Sequence, residues 1–381
     1  MKMPVETLIH REIKAGGAIS FARFMELALY CPESGFYETK RDKIGRRGDF
    51  YTSVSVGNLF GEMLAFQFSE WLEALAFNAS ASASSSGAAA PKRSEGGQPS
   101  TLNLIEAGAH DGKLAKDILN WLKSNRPKLF SMIHYFILEP SQRRQEWQRE
   151  TLKDFRNVRW LSRFNDSTIQ RFNGILFSNE LLDAFSVRRF GWDATAKVWF
   201  EWGVALERDK FIWARMAGSC HPSLVTRHVP RELEAVLPDG YVVEVSEAAE
   251  NWWREAATIL GKGKLLTIDY GLTGDEQFSP GRTNGTLRAY YQHHPADDVL
   301  ANTGEQDLTA HVNFSAIQKV GESAGLKTEL FSTQTIFLTH ILEKMTKDKS
   351  YEWDNSRTRQ FQTLTHPEHL GRAFRVLVQS R

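Results

Sequence analysis

Three groups of residues in this 381-residue sequence have types and spacings that can do chemistry, and each follows an apolar run. The first is Glu106-Ala107-Gly108-Ala109-His110-Asp111-Gly112. A strand that ends in a glycine-punctuated turn and then enters a helix is the generic nucleotide crevice of doubly wound α/β folds. Glycine matters there because a backbone without side chains lets a ligand lie against the turn. The second is Glu139, at the tip of the next apolar run. An acid in that place can accept hydrogen bonds from both hydroxyls of a ribose. The third is Asn179-Glu180-Leu181-Leu182-Asp183, at the end of the run 175–180. A carboxylate at the carboxyl edge of a parallel sheet can pair with a cationic guanidinium and orient it.

Each group also has a plainer reading. The turn lacks the dinucleotide spacing G-x-G-x-x-G, and no Gly-Lys-Ser/Thr follows to make a phosphate loop. It does fit E-x-G-x-G-x-G, the S-adenosylmethionine form, with His110 where the middle glycine belongs. Histidine tolerates a left-handed backbone better than most residues. Without a ligand, the same turn simply joins a strand to a helix. Glu139 reads equally as a solvated acid or a cap for the helix opened by Ser141. Glu180 and Asp183 read equally as acids at a helix N-terminus, stabilised by its dipole. Asp269 and His311 are weaker candidates; a lone histidine is more often structural. No His, Cys or carboxylate cluster has metal-ligand spacing, so no metal is expected.

The elements around these groups alternate between strand and helix. Apolar runs at 102–106, 133–139, 175–180 and 265–269 read as strands, with 158–161 weaker and 373–378 closing the chain. That rhythm implies a parallel sheet in an α/β fold, the Rossmann-like arrangement. Alternating residues through Val198-Trp199-Phe200-Glu201-Trp202 and Phe211-Ile212-Trp213 read as a small antiparallel β insert. Ahead of the sheet, Ser20 is a plausible N-cap for a helix with Phe21, Phe24, Met25, Ala28 and Leu29 on one side. A second helix is expected over 55–75. Residues 78–100, NASASASSSGAAAPKRSEGGQPS, are too poor in apolar side chains to offset their ordering entropy and read as a flexible loop.

Composition sets the remaining expectations. Hydrophobic residues at 41% supply a sizeable core, and 47 Lys+Arg against 46 Asp+Glu give no basic footprint for nucleic acid. Two cysteines, Cys31 and Cys220, make neither a disulfide framework nor a zinc site, and suit a reducing compartment. The first residues lack an apolar leader and carry Glu6 and Glu12, against a transit peptide. No run reaches the length of a membrane span. These features predict a cytoplasmic protein with no nucleic-acid or membrane partner. Oligomeric state is not readable.

Taken in order, nine segments resemble the MidA-like family of class I S-adenosylmethionine-dependent methyltransferases. They are 19–37, 45–65, 106–119 (EAGAHDGKLAKDIL), 138–141, 177–190 (FSNELLDAFSVRRF), 265–271 (LLTIDYG), 285–293, 305–317 (EQDLTAHVNFSAI) and 370–378. The resemblance implies a seven-stranded methyltransferase sheet with a final antiparallel strand, and S-adenosylmethionine as cofactor. It places Glu106, Gly108, His110, Asp111 and Gly112 in the cofactor turn and Glu139 at the ribose. Gly48, Asp49 and Thr52 would belong to a loop that closes over the cofactor. Asn179, Glu180 and Asp183 would face methyl donor and acceptor. A mitochondrial member of the family methylates arginine, so the expected substrate is a protein arginine side chain. The alternatives are a small molecule or another residue as acceptor, or a cofactor-binding assembly factor without catalysis. The expected organisation is a helical, cofactor-covering region at 1–77, the loop at 78–100, and a methyltransferase domain at 101–381. Inserts at about 187–240 and 285–317 would form the substrate side.

Overall fold

The computed structural model describes residues 3–32, 34–39, 52–85, 102–164, 171–217, 222–279, 281–292, 294–347, 353–368 and 370–381, without the side chains of 78–85 and 222. Gly48, Asp49, Cys220 and residues 86–100 of the expected loop lie outside the described residues. The chain forms two compact units. One comprises Met1–Tyr51, Glu180–Trp253 and Asp269–Val320; the other comprises Thr52–Asn179, Arg254–Ile268 and Gly321–Arg381.

The second of these units holds the large sheet. Its strands are β1 (Leu102–Ala107), β2 (Ile133–Leu138), β3 (Val158–Leu161), β4 (Phe172–Asn179), β5 (Leu260–Leu272), β6 (Lys327–Thr333) and β7 (Phe374–Ser380). They lie in the order β6-β7-β5-β4-β1-β2-β3. The pairs β5–β4, β4–β1, β1–β2 and β2–β3 are parallel, and β6 runs antiparallel to β7. β1, β2 and β4 read as near-continuous apolar runs because almost every residue in them is buried. Gly174 marks a close approach of strands: a Cβ there would lie 1.9 Å from the Asn103 carbonyl oxygen. A short strand, Val312–Asn313, pairs parallel with the end of β5 and makes an eighth, so the mostly parallel sheet that the alternation led us to expect has one strand more than the seven the resemblance implied.

The helix expected over 55–75 differs at both ends. A short helix, Ser53–Val56, stops at Gly57, and the long helix then runs over Leu59–Ser85. It enters the stretch read as a loop because alanine is the strongest helix former and offsets the neutral serines. Leu59, Phe60, Met63, Leu64, Phe68 and Leu72 are among its buried residues, and the Phe68 ring stands 4.8 Å from that of Phe177 on β4.

The other unit is built from what the sequence shows as an N-terminal helical stretch and as inserts. Helices Val5–Gly16 and Phe21–Tyr30 bury Ile9, Phe21, Phe24 and Met25 with Val204, Leu287 and Leu308 in one core. The Ser20 hydroxyl accepts the Arg23 N–H at 3.2 Å and caps the second of them. The antiparallel β insert is present as Arg188–Asp193, Val198–Glu207 and Lys210–Arg215, widened by Val242–Val245 and Ile19–Ser20. A three-stranded sheet, Arg288–Tyr291, His294–Ala296 and Asp307–Thr309, completes the unit. Within the expected region 1–77, residues between Val5 and Phe36 thus share a core with the inserts. Among the described residues no helix is long and apolar enough to cross a membrane.

Candidate active site

In the unit that holds the sheet, β1 delivers Glu106 and Ala107 into the turn, and helix Lys113–Asn125 leaves it. Gly108, His110 and Gly112 have φ of 73°, 46° and 83°, so alternate residues of the turn are left-handed. His110 thus adopts the backbone of the glycine it replaces. Its carbonyl oxygen accepts the Gln148 amide at 3.0 Å, and its ring stands 6.3 Å from that of Trp147. The Asp111 carboxylate accepts the Lys113 N–H at 3.0 Å and ties the turn to the helix start. A Cβ on Gly112 would come within 3.3 Å of the Leu152 side chain, and the left-handed φ there favours glycine.

The two acids expected at the cofactor are both buried. Glu106 is 3% exposed and accepts the Tyr135 hydroxyl at 2.5 Å. Burial pushes its carboxyl up to about 8, against the Tyr135 bond, which favours the charged form. Glu139 is 1% exposed. One oxygen accepts the Ser141 N–H at 2.9 Å and Arg144 at 3.0 Å; the other accepts the Gln148 amide at 3.3 Å. The Thr52 hydroxyl accepts the Ser55 N–H and caps helix Ser53–Val56. Asn179 is the last residue of β4. Glu106, Gly108, Glu139 and Asn179 therefore stand at or next to the carboxyl ends of adjacent strands β4, β1 and β2. That is where open α/β sheets bind ligands. A turn with glycine at 108 and 112, beside acids and an amide, leaves backbone open for a nucleoside to lie against.

In the other unit, Glu180 and Asp183 lie in a loop, and no helix follows them. The helix-dipole reading of these acids is therefore removed. Glu180 is left-handed, with φ 51°. Asp183 and Asp269 are buried carboxyls hydrogen-bonded to each other. Asp269 also accepts the N–H groups of Leu181 at 3.1 Å, Leu182 at 2.7 Å and Tyr270 at 2.9 Å. Burial pushes Asp183 well above the carboxylate range, and the negative charges of Asp269, Glu180 and Asp307 push the same way. Tyrosines surround these acids. The Tyr37 hydroxyl donates to Asp307 at 2.8 Å, and Tyr30 donates to the Ala184 carbonyl at 2.9 Å. Tyr270 is raised by burial and then by Glu180 and Asp183, and Tyr290 by burial, Asp307 and Asp183.

Sequence reading missed Tyr37, Tyr270, Tyr290 and Asp307 and placed Asp269 among the weaker candidates. Asp269-Tyr270-Gly271 at a strand end is the one local signal that could have found part of this set. The rest come from segments far apart in the chain. His311 lines a pocket in the same unit, with Leu182, His228, Glu244 and Glu250. Burial, then Arg282 and Arg288, lower its imidazole to about 4 and keep it neutral. Among the described residues, no group of three His, Cys, Asp or Glu could hold a metal ion.

A family model for S-adenosyl-L-methionine-dependent methyltransferases matches residues 90–332. The chain belongs to this family. Relatives and solved structures agree with the assignment. Protein arginine methyltransferase NDUFAF7 of Mus musculus is 27% identical over 339 residues, 82% of this chain and 68% of the relative. The human protein of that name is 26% identical over 82% of this chain and 67% of its own. A COG1565 superfamily member from Burkholderia thailandensis, crystallised with S-adenosyl-homocysteine, superposes with a TM-score of 0.79 at 29% identity. That match covers 99% of this chain and 92% of the other. The chain is thus a class I methyltransferase in fold and S-adenosylmethionine-dependent, a MidA-like enzyme as its segments suggest. Both NDUFAF7 relatives are named as mitochondrial, which overturns the expectation of a cytoplasmic protein. Cysteine content speaks to a redox environment, and more than one compartment is reducing.

Proposed function

We propose that this methyltransferase acts on a cationic nitrogen of a protein, an arginine guanidinium, in a mitochondrial setting. The observation that carries the reading is the buried group of acids and tyrosines around Asp183, directly after β4. A guanidinium offers five N–H donors in a fixed fork, and carboxylates are its natural partners. The names of the NDUFAF7 relatives support the same acceptor and location.

S-adenosylmethionine supplies an electrophilic methyl group. Glu106, Gly108, His110, Asp111 and Gly112 would cradle the cofactor, with Glu139 at the ribose and Thr52 at its cover. Gly48 and Asp49, outside the described residues, complete that set as proposed from the family pattern. Glu180 would pair with the guanidinium and aim one nitrogen at the methyl carbon, while Asn179 and Asp183 help to orient it. Positioning of this kind supplies much of the acceleration in an in-line displacement.

The test is mass spectrometry of arginine methylation in the proteome of cells with and without the protein, the latter rescued by wild type or by Glu180→Gln. Wild type should restore the lost methylarginine sites. The variant should restore almost none, with methyl transfer slower by roughly two to three orders of magnitude, the scale of one preorganised electrostatic partner. Unchanged methylarginine on loss of the protein would point to a small-molecule acceptor or to an assembly role, and would end the arginine reading.

A further inference from the structure

We propose that Asp269 is the positioning residue of the acceptor site: its carboxylate holds the turn that carries Glu180, and Asp183 donates the hydrogen that joins the two carboxyls. This rests on the reading of Glu180 and Asp183 as acceptor-facing groups. The geometry is specific. One oxygen of Asp269 accepts the N–H groups of Leu181 and Leu182, the two residues after Glu180, and the other accepts the N–H of Tyr270. Asp269 is fully buried, so these bonds are shielded from water. Glu180 meanwhile has φ 51°, a conformation that a non-glycine residue keeps only where its surroundings over-determine it. Two backbone bonds to one carboxylate immediately downstream do that. The Ala310 N–H, donating to the Asp183 carbonyl at 3.0 Å, fixes the far end of the turn.

The charge balance follows from the same contacts. Two buried carboxyls in hydrogen-bond contact do not both ionise. Asp269, with three N–H donors, is the ionised member, and Asp183 keeps the proton. Glu180, Asp307, Tyr37, Tyr270 and Tyr290 face the pair, and Arg288 lies beside Tyr290. Burial raises Asp269 to about 7 against its three backbone donors. Its hold on the turn is therefore present above neutrality and is lost as pH falls, when a second proton enters the pair and competes with the N–H groups.

The experiment measures S-adenosylhomocysteine affinity by calorimetry and radiolabelled methyl transfer to the proteome of cells lacking the protein, from about pH 5.5 to 9. Wild type, Glu180→Gln, Asp269→Asn and Asp269→Ala are compared. Cofactor-product affinity should stay within about three-fold in all four. Both Asp269 variants should lose about a hundred-fold in turnover, the scale of misplaced reacting groups. The wild-type loss of rate below neutrality should vanish from the Asp269→Asn profile. A fully active Glu180→Gln enzyme overturns the reading of Glu180 itself. An inactive Glu180→Gln beside an Asp269→Asn enzyme with wild-type turnover, or with the acid limb intact, overturns the role of Asp269 alone. Should the Asp269 variants not fold, ¹³C-carboxyl NMR of aspartate-labelled wild type decides. One proton shared by Asp183 and Asp269 above neutrality supports the proposal, and two ionised carboxylates at about pH 6 overturn it.

Discussion

At position 110 the backbone takes the left-handed conformation that the glycine pattern demands, in a residue with a full side chain. The departure from E-x-G-x-G-x-G thus leaves the path of the turn unchanged and adds an imidazole near Trp147. Glu106, in the same motif, has an identity that sequence alone ties only to the ligand. Tertiary structure buries it against Tyr135 and raises its carboxyl to about 8. A raised folded value means that its contribution to stability is complete below the unfolded value of 4.5 and is lost as pH climbs towards 8. Glu106→Gln keeps an acceptor for the Tyr135 hydroxyl and removes the titration. In urea melts the variant should show a flatter dependence on pH between about 5 and 8, and above pH 8 it should exceed wild type by on the order of a few kcal/mol. Parallel profiles for the two proteins would show that Glu106 does not carry this charge penalty.

Among elements, the strands of the sheet were legible because β1, β2 and β4 are buried along nearly their whole length and read as apolar runs bounded by polar turns. The helices were less so. Gly57 splits the expected helix, and the alanines after Phe77 carry its longer part on to Ser85, against the loop reading. The polar stretch after β4 looked like a helix start and is a loop, because the buried Asp269 carboxylate takes the N–H groups of Leu181 and Leu182. Residues 86–100, outside the described residues, contain few apolar side chains. Replacing 86–99 with a few glycines should leave the melting temperature within about 2 °C and cofactor binding unchanged, since halving a loop changes closure entropy by only about 0.6 kcal/mol. A large fall in melting temperature would mean that this segment packs.

For the whole molecule, the decisive property is cofactor binding, which couples directly to stability. A ligand that binds only the folded chain stabilises it by about 2.7 kcal/mol at a hundred times its dissociation constant. S-adenosylhomocysteine should therefore raise the melting temperature of wild type by several degrees. In Gly108→Val a branched side chain would occupy a left-handed position in the turn, and the shift should be absent although the protein remains folded. An equal shift in a folded Gly108→Val protein would remove the turn from the cofactor site.

The sequence by itself determined the α/β class, the strand that ends in the glycine turn, the antiparallel insert and the methyltransferase family. These are written in runs of neighbouring residues, where periodicity and spacing are directly visible. Tertiary structure decided what surrounds the acids. Glu106 meets Tyr135 on the next strand, Glu139 meets Arg144 and Gln148, and Asp183 meets Asp269, with Tyr37 and Asp307 in the same unit. Those partners come from segments separated by up to 270 positions. Burial and hydrogen bonding, which set the charge on a carboxyl, exist only once the chain has brought such segments together.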